Sequence, residues 1–175
     1  MKSKIIVSLV VFLLVSGSML PNIPVSEREA LITLYNATDG DNWEKNDNWK
    51  SGGVFSPPET ENTWYGVTCD AANTMVVEID INSNNLNGTI PPEMENFSNL
   101  EYLFLGHNLI SGTIPPELGN LSNLKYLYLW GNQLSGEIPP ELGNLSSLEK
   151  MWLCSNQLTG PIPPELGQLN NAHTI

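Results

Sequence analysis

The chain has 175 residues, of which 7 are basic and 19 are acidic, and its formal net charge is −12. Binding to nucleic acid depends on basic side chains that neutralise phosphates, and anionic membranes attract basic segments, so this charge argues against both partners. A chain of this length is expected to form one domain.

The N-terminus has the pattern of a secretory signal peptide. Lys2 and Lys4 precede an uncharged apolar run over 5–15, and small residues follow it. We therefore predict a signal peptide over 1–18. A membrane anchor is the alternative, although the run is shorter than the ~20 residues that a membrane span needs. Because no second hydrophobic span follows, we expect a secreted or extracellular protein with no further transmembrane segment.

Segment 19–75 is predicted to begin with a helix and to build an aromatic core. Ser26 and Glu29 have the spacing of a capping box, and Ala30, Leu31 and Leu34 follow, which predicts a helix capped by Ser26. The core is expected to contain Trp43, Trp49 and Trp64.

The stretch DGDN over 39–42 weakly resembles a calcium-binding loop. The remaining oxygen ligands at the required spacing are missing, and Asp, Gly and Asn favour a turn. We therefore predict a turn here, and we expect the chain to need neither a metal nor a cofactor.

Residues 76–171 consist of four units of equal length that align without a gap. Starting at Val76, Leu100, Leu124 and Leu148, they read VVEIDINSNNLNGTIPPEMENFSN, LEYLFLGHNLISGTIPPELGNLSN, LKYLYLWGNQLSGEIPPELGNLSS and LEKMWLCSNQLTGPIPPELGQLNN. The constant interval between these starts is called the repeat length below. Self-similarity at such a period predicts a solenoid in which each coil stacks on its neighbours. Residues 172–175 are interpreted as the start of a truncated fifth repeat.

Apolar residues two positions apart predict a short strand in each coil with one buried face. The inward positions are Ile79, Ile81, Leu103, Leu105, Leu127, Leu129, Met151 and Leu153. An Asn follows each strand, at Asn84, Asn108, Asn132 and Asn156. A buried Asn must satisfy both amide hydrogens and its oxygen, so we expect it to bond turn backbone groups of its own coil and of the next.

A Gly-x-Ile-Pro-Pro sequence completes the pattern of each coil. Proline has no N–H donor, so the strand ladder is not expected to continue there. In the third coil, Pro140 and Glu141 suit the first turn of a short helical segment, and Gly143 suits its exit.

The pattern LxxLxLxxNxLxGxIPxxLGxL resembles the plant-type leucine-rich repeat over 76–171. The resemblance implies an α/β-type leucine-rich repeat solenoid. Such a solenoid is a curved right-handed coil with a parallel β-sheet on its concave face and little true α-helix beyond an N-terminal cap. The stretches ALITLYNATDGDNW and TWYGVTCD within 19–75 are similar to that cap. The family usually serves recognition of proteins or other ligands.

Many caps of this family hold a disulfide between the cysteine of GVxC and one shortly before it. Here Cys69 stands in GVTC, but Asn62 and its neighbours offer no partner. Cys154 is expected at least ~14 Å away, whereas bridged Cα atoms lie within ~7 Å of each other. We therefore predict two free thiols.

The side chains that alternate with the buried ones predict a binding surface on the concave sheet. Six of them are aromatic in coils two to four. Stacking within the sheet is the alternative reading, but their combined area approaches that of a standard interface. The predicted ligand-binding residues are Tyr102, Phe104, Tyr126, Tyr128, Trp130, Lys150 and Trp152. The same positions of coil one hold Glu78 and Asp80, which are interpreted as a solvated acidic patch.

The sequence favours recognition over catalysis. His107 and Cys154 are expected ~10 Å apart, too far for a base and a nucleophile, and His173 lies near the end of the chain. We predict a secreted or cell-surface module that binds a protein, peptide or glycan, or an ectodomain fragment of a larger receptor-like protein. An ice-binding repeat protein is a further alternative, but its file of hydroxyl side chains breaks, as Thr89 and Thr113 are followed by Glu137 and Pro161.

Five Asn-x-Ser/Thr triplets are candidate N-glycosylation sites if the protein is eukaryotic. They begin at Asn36, Asn87, Asn96, Asn120 and Asn144. Three of them recur because the repeat does, so their number alone is weak evidence.

Overall fold

The computed structural model describes residues 22–173. The predicted signal peptide over 1–18 and the final residues Thr174 and Ile175 of the predicted fifth repeat lie outside this range. The only α-helix of the described residues, α1, spans Val25–Ala37. No described helix has both the length and the apolar character that crossing a bilayer requires.

The capping box predicted from the spacing of Ser26 and Glu29 is not formed. Helix α1 begins at Val25, and the backbone N–H of Arg28 donates to the carbonyl of Pro24 at 3.1 Å. Pro24 has an extended ψ of 145° and forms no side-chain capping bond. Ser26 therefore lies inside the first turn, where it is exposed, and Glu27 is turned into the protein core.

The aromatic core predicted for the N-terminal segment is confirmed. Trp43, Trp49 and Trp64 are buried, and the ring centroids of Trp49 and Trp64 lie 4.8 Å apart. Tyr35 of α1 stacks on Trp49 at 5.3 Å. A small antiparallel hairpin of β1 (Lys50–Ser51) and β2 (Val54–Phe55) closes over this cluster, with Phe55 5.3 Å from Tyr35. Aromatic rings thus supply a large part of the buried apolar area of this segment.

The concave sheet has five strands in the order β10-β8-β6-β4-β3. Their bounds are β3 Val67–Cys69, β4 Val76–Asp80, β6 Tyr102–Phe104, β8 Tyr126–Tyr128 and β10 Lys150–Trp152. The four repeat strands pair in parallel with a register of one repeat length, as in Tyr102 opposite Tyr126. Strand β3 pairs antiparallel with β4 and so ties the N-terminal segment to the sheet. The division between a cap over 19–75 and repeats over 76–171 stays a prediction.

The predicted inward face of the repeat strands is confirmed. Seven of the eight inward residues are buried, and Leu153 of the last coil is half-buried. The Asn side chains are also buried or half-buried after each strand. They bond backbone groups of their own coil, as predicted, and of the preceding coil instead of the next one. Asn108, for example, donates to the carbonyl of Ile81 at 3.0 Å and accepts from the N–H of Asn84 at 2.9 Å. Each coil thus packs its Asn side chain against backbone N–H and C=O groups of the coil before it.

A second parallel sheet was not expected from the sequence. Its strands are β5 Asn87–Thr89, β7 Leu109–Gly112, β9 Gln133–Glu137 and β11 Gln157–Thr159, in the order β11-β9-β7-β5. The register of this sheet is shorter than the repeat length, so Thr89 lies opposite Ser111 and not opposite Thr113. Thr89 and Thr113, the hydroxyl residues considered for ice binding, are therefore not paired with each other in this sheet.

Short 3₁₀ helices follow the second sheet in every coil, as the proline pairs predict. They span Pro92–Asn96, Pro116–Asn120, Pro140–Asn144 and Pro164–Gln168. Gly143 is not the exit of its helix but lies within it. A Cβ atom there would lie 2.5 Å from the carbonyl oxygen of Glu165 in the next coil, so close coil stacking requires glycine.

The last described coil leaves apolar side chains uncovered. Trp152 is 39% exposed and Ile162 is 75% exposed, whereas Ile114, at the position of Ile162 two coils earlier, is 1% exposed. An open hollow of about 670 Å³ lies here between the two sheets, lined by residues that include Leu153 and Leu166. Among residues 22–173, no element packs on this end.

Candidate binding surface

The candidate surface is the concave face of the five-stranded sheet, where register places the outward side chains in two rows. One row contains Thr68, Glu78, Tyr102, Tyr126 and Lys150. The neighbouring row contains Asp80, Phe104, Tyr128 and Trp152. Because parallel strands with a constant register keep equivalent residues side by side, the repeat converts sequence columns into spatial rows.

Five of the predicted residues form one stacked cluster, here called the aromatic band. It consists of Tyr102, Phe104, Tyr126, Tyr128 and Trp152. Tyr128 and Trp152 are parallel, with centroids 4.2 Å apart and planes at 5°. Tyr102 meets Tyr126 edge-on at 5.3 Å, and Phe104 meets Tyr128 at 4.8 Å. The stacking within the sheet that the sequence left as an alternative is therefore observed, and the rings still leave part of their surface to solvent. Ligand binding by these residues stays a prediction.

Trp130 was predicted to join this surface but lies beside the band. Its indole covers Gly106, where a Cβ atom would be 2.5 Å from Trp130 Nε1. Its ring contact is with His107, at a centroid distance of 5.7 Å. Gly106 has no side chain, which leaves space for the indole of Trp130. The repeat pattern of the sequence did not reveal this contact.

Two lysines flank the band, and only one of them was predicted. Lys150 Nζ lies 5.0 Å from the ring centroid of Tyr126, a cation–π distance. Lys125 precedes β8, lies 5.9 Å from the Tyr102 ring and bonds Glu101 at 2.6 Å. The Glu101 carboxylate raises the pKa of Lys125. A signal existed in the sequence, because Glu101, Lys125 and Glu149 occupy one column of the repeat, immediately before the outward columns.

The acidic side chains of coil one remain accessible, as predicted. Asp80 is exposed, and its Oδ1 accepts a bond from the Asn82 amide at 3.0 Å. Asn82 in turn accepts from the backbone N–H of Gly106 at 2.6 Å. These bonds join the ends of β4 and β6, and the carboxylates of Glu78 and Asp80 stay on the concave side.

A buried carboxylate lies in the N-terminal segment, away from the concave face. Glu27 is 0% exposed, and its Oε2 accepts the N–H of Val76 at 2.8 Å. Its Oε1 has no hydrogen-bond partner among the described residues. Burial raises the pKa of Glu27 to about 6, an effect that the charge of Asp70 reinforces and the Val76 bond partly offsets.

Stability is expected to fall as the pH rises through the range in which Glu27 ionises. Because the folded pKa of about 6 exceeds the usual 4.5, the neutral carboxyl favours folding below pH 4.5, and this contribution is lost as the pH rises through 6. The expected loss of unfolding free energy is ~2 kcal/mol. Urea denaturation between pH 4 and pH 7 should show Glu27→Gln with a flatter profile than the unmodified chain. The exposed Glu29→Gln on the same helix should keep the original profile, and a flatter profile for both would contradict the assignment.

The stretch 39–42 and the two cysteines are the other polar candidates that the sequence suggested. The stretch 39–42 is a turn with a 3₁₀ helix, as predicted, in which Asp41 accepts from the Tyr35 hydroxyl at 2.9 Å. Within 22–173, no cluster of three or more His, Cys, Asp or Glu side chains is placed to hold a metal. Cys69 and Cys154 are both free, as predicted. Cys69 lies within β3 itself, and burial raises the pKa of its thiol to about 11.

The candidate glycosylation sites are accessible, and their modification stays a prediction. All five Asn residues are exposed. Asn36 lies in α1, Asn87 in β5, and the other three at the ends of 3₁₀ helices.

The repeats match sequence models of a known family. A model described as "Leucine Rich repeats (2 copies)" matches residues 98–144, and one described as "Leucine Rich Repeat" matches 75–97 and 147–169. A nodulation receptor kinase of Pisum sativum is 40% identical over 47 residues, which are 26% of this chain and 5% of that protein. The chain therefore corresponds to a small part of that curated relative.

Solved structures of plant receptor ectodomains have the same fold. The BIR2 ectodomain of Arabidopsis thaliana is 30% identical with a TM-score of 0.72, and the match covers 83% of this chain and 75% of that one. The ectodomain of GASSHO1/SCHENGEN3 from the same plant, in complex with CASPARIAN STRIP INTEGRITY FACTOR 2, is 33% identical with a TM-score of 0.73, and the match covers 85% and 17%. A plant ice-binding protein is 24% identical with a TM-score of 0.56, covering 87% and 58%, and shares the fold alone. The chain therefore belongs to the leucine-rich repeat proteins, and its repeats are of the plant type.

Proposed function

We propose that this chain is an extracellular recognition module that binds a protein or peptide on the concave face of its sheet. The observation that carries the proposal is the aromatic band, in which five large rings stand together on a face that no other described element covers. Monomeric proteins rarely leave a contiguous apolar patch of this kind without a partner. Aromatic side chains are also the residue type that most often dominates binding energy at interfaces.

The stacking geometry favours a protein or peptide over a glycan. A sugar ring packs its C–H groups on the flat face of an aromatic ring. Here the faces of Tyr128 and Trp152 lie against each other at 4.2 Å, and the planes of Tyr126 and Tyr128 differ by 9° at 6.0 Å. Tyr128 is thus covered by the neighbouring rings of Phe104 and Trp152, and the phenolic hydroxyls of the band can bond the backbone groups of a peptide.

An extracellular location is part of the proposal. The signal peptide predicted over 1–18 would direct export, and exposed Asn-x-Ser/Thr sites would be glycosylated in a eukaryote. The matched ectodomains of plant receptors support the same setting. The module is then secreted as such, or is part of the ectodomain of a longer receptor-like chain at the cell surface.

The ice-binding alternative has less support from the geometry. Ice binding needs a regular file of short hydroxyl side chains. In the second sheet, Thr89 pairs with Ser111 and then Ser111 with Gln133, and Glu137 places an exposed charge opposite Thr159.

Site-specific photo-crosslinking tests the proposal. A photoreactive phenylalanine analogue placed at Trp152 should capture an extracellular protein or peptide ligand from the source tissue, and the same group at the exposed Glu141 on the 3₁₀-helical side should not. Capture at Glu141 in preference to Trp152 would place the binding site elsewhere and contradict the proposal.

A further inference from the structure

The concave face has opposite charges on the two sides of the aromatic band. Glu78 of β4 and Lys150 of β10 belong to the same row, separated by Tyr102 and Tyr126. Asp80 stands beside Glu78 at the start of the neighbouring row. The aromatic band therefore lies between the acidic strand β4 and Lys150 of β10.

These charges are not neutralised within the described chain. The salt bridges among residues 22–173 join Arg28 to Glu61, Lys50 to Asp41 and Lys125 to Glu101. Lys125 is thus compensated, although it also lies next to the band. Lys150 takes part in none of these pairs and is held over the Tyr126 ring at 5.0 Å.

The spacing of the charges defines a length. Three strand spacings separate β4 from β10, so the backbones at Glu78 and Lys150 lie ~14 Å apart. An extended peptide advances ~3.3–3.6 Å per residue, so about four residues cover this distance. A ligand with opposite charges about four residues apart would meet both sides at once.

We propose that the ligand is an extended segment lying across the strands, with a Lys or Arg over Glu78 and Asp80 and a carboxylate about four residues away over Lys150. This inference rests on the proposed function and narrows its ligand class. Apolar side chains between the two charges contact the aromatic band. A ligand with like charges at both positions meets repulsion at one end, so the charge pattern sets the direction in which the segment lies.

Selection from a phage library of random 12-residue peptides tests this charge pattern. The immobilised proteins are the unmodified chain, Lys150→Gln, the pair Glu78→Gln with Asp80→Asn, and Tyr128→Ser with Trp152→Ser as the variant of the aromatic band. Circular dichroism first establishes that each variant has the spectrum of the unmodified protein. The unmodified chain should enrich peptides with a basic and an acidic residue about four positions apart. Those peptides should bind Lys150→Gln and the doubly neutralised variant at least about tenfold more weakly, which corresponds to ~1.4 kcal/mol.

The outcomes separate this inference from the proposed function. Peptides that depend on Tyr128 and Trp152 but carry no such charge pair, or that bind the charge variants unchanged, would overturn the charge pattern and leave the concave site standing. Failure to select any peptide that depends on these two rings would overturn both.

Discussion

Ile114→Ala is expected to lower the free energy of unfolding by about 2–5 kcal/mol, the usual cost of truncating a buried isoleucine. Ile162→Ala, at the same repeat position two coils later, should change it by no more than about 0.5 kcal/mol, as exposed sites do. Ile114 is 1% exposed between neighbouring coils, whereas Ile162 is 75% exposed at the end of the last described coil.

Urea denaturation followed by circular dichroism compares the two isoleucine variants directly. The substitutions are chemically identical, so any difference in the midpoint reports only on the coil that covers the side chain. Equal losses for both would mean that another part of the protein covers Ile162 in solution, for example a second copy of the chain.

Asn132→Ala is expected to lower the free energy of unfolding by about 1–3 kcal/mol, because it leaves several buried backbone groups without partners. The Asn132 amide donates to the carbonyls of Leu105 and Leu129 at 2.9 and 3.0 Å, and its oxygen accepts the N–H of Ile110 at 3.0 Å. One side chain therefore joins the turns that follow β6 and β8 to strand β7 of the preceding coil.

The control for Asn132 is the adjacent residue. Gln133 is exposed in β9, so Gln133→Ala should be nearly neutral in the same denaturation experiment. Equal midpoints for the two variants would contradict the role of the Asn column in joining the coils.

The features of the fold that follow from a fixed period could be predicted from the sequence. A register of one repeat length places Leu103 beside Leu127 and Tyr102 beside Tyr126, so both the buried face and the outward rows can be read from the columns. The second sheet could not be predicted in this way. Its register is shorter than the repeat length, since the path around each coil shifts the pairing, and residues such as Gly112 and Ser135 have little strand propensity of their own.

Predictions from short sequence patterns failed where contacts with residues distant in the sequence determined the structure. Ser26 and Glu29 have the spacing of a capping box but do not form one, because Pro24 is the N-cap and Glu27 is buried, where it accepts the N–H of Val76. Gly143 was predicted to end a helix. Glycine is needed there because the carbonyl oxygen of Glu165 in the next coil would clash with a Cβ atom.

The candidate surface was predictable as a set of residues but not as an arrangement. Alternation along the strand indicates which rings face outward. It does not indicate that Tyr128 and Trp152 stack face to face, or that Trp130 lies over Gly106, because these depend on side-chain conformations and on the small residue beneath the indole. The charge of Lys125 is similarly cancelled by Glu101, a pairing that forms only when the coils stack.

The five tryptophans allow a direct test of the concave face as the binding surface. The indole N–H groups of Trp43, Trp49 and Trp64 donate within the N-terminal segment, to Thr38, Tyr65 and Thr60, whereas Trp130 and Trp152 lie on or beside the concave face. In ¹⁵N-labelled protein, adding a peptide recovered by the selection should shift or broaden the indole signals of Trp152 and Trp130 and leave the other three unchanged. Shifts confined to Trp43, Trp49 and Trp64 would show that the ligand binds the N-terminal segment and would contradict the concave site.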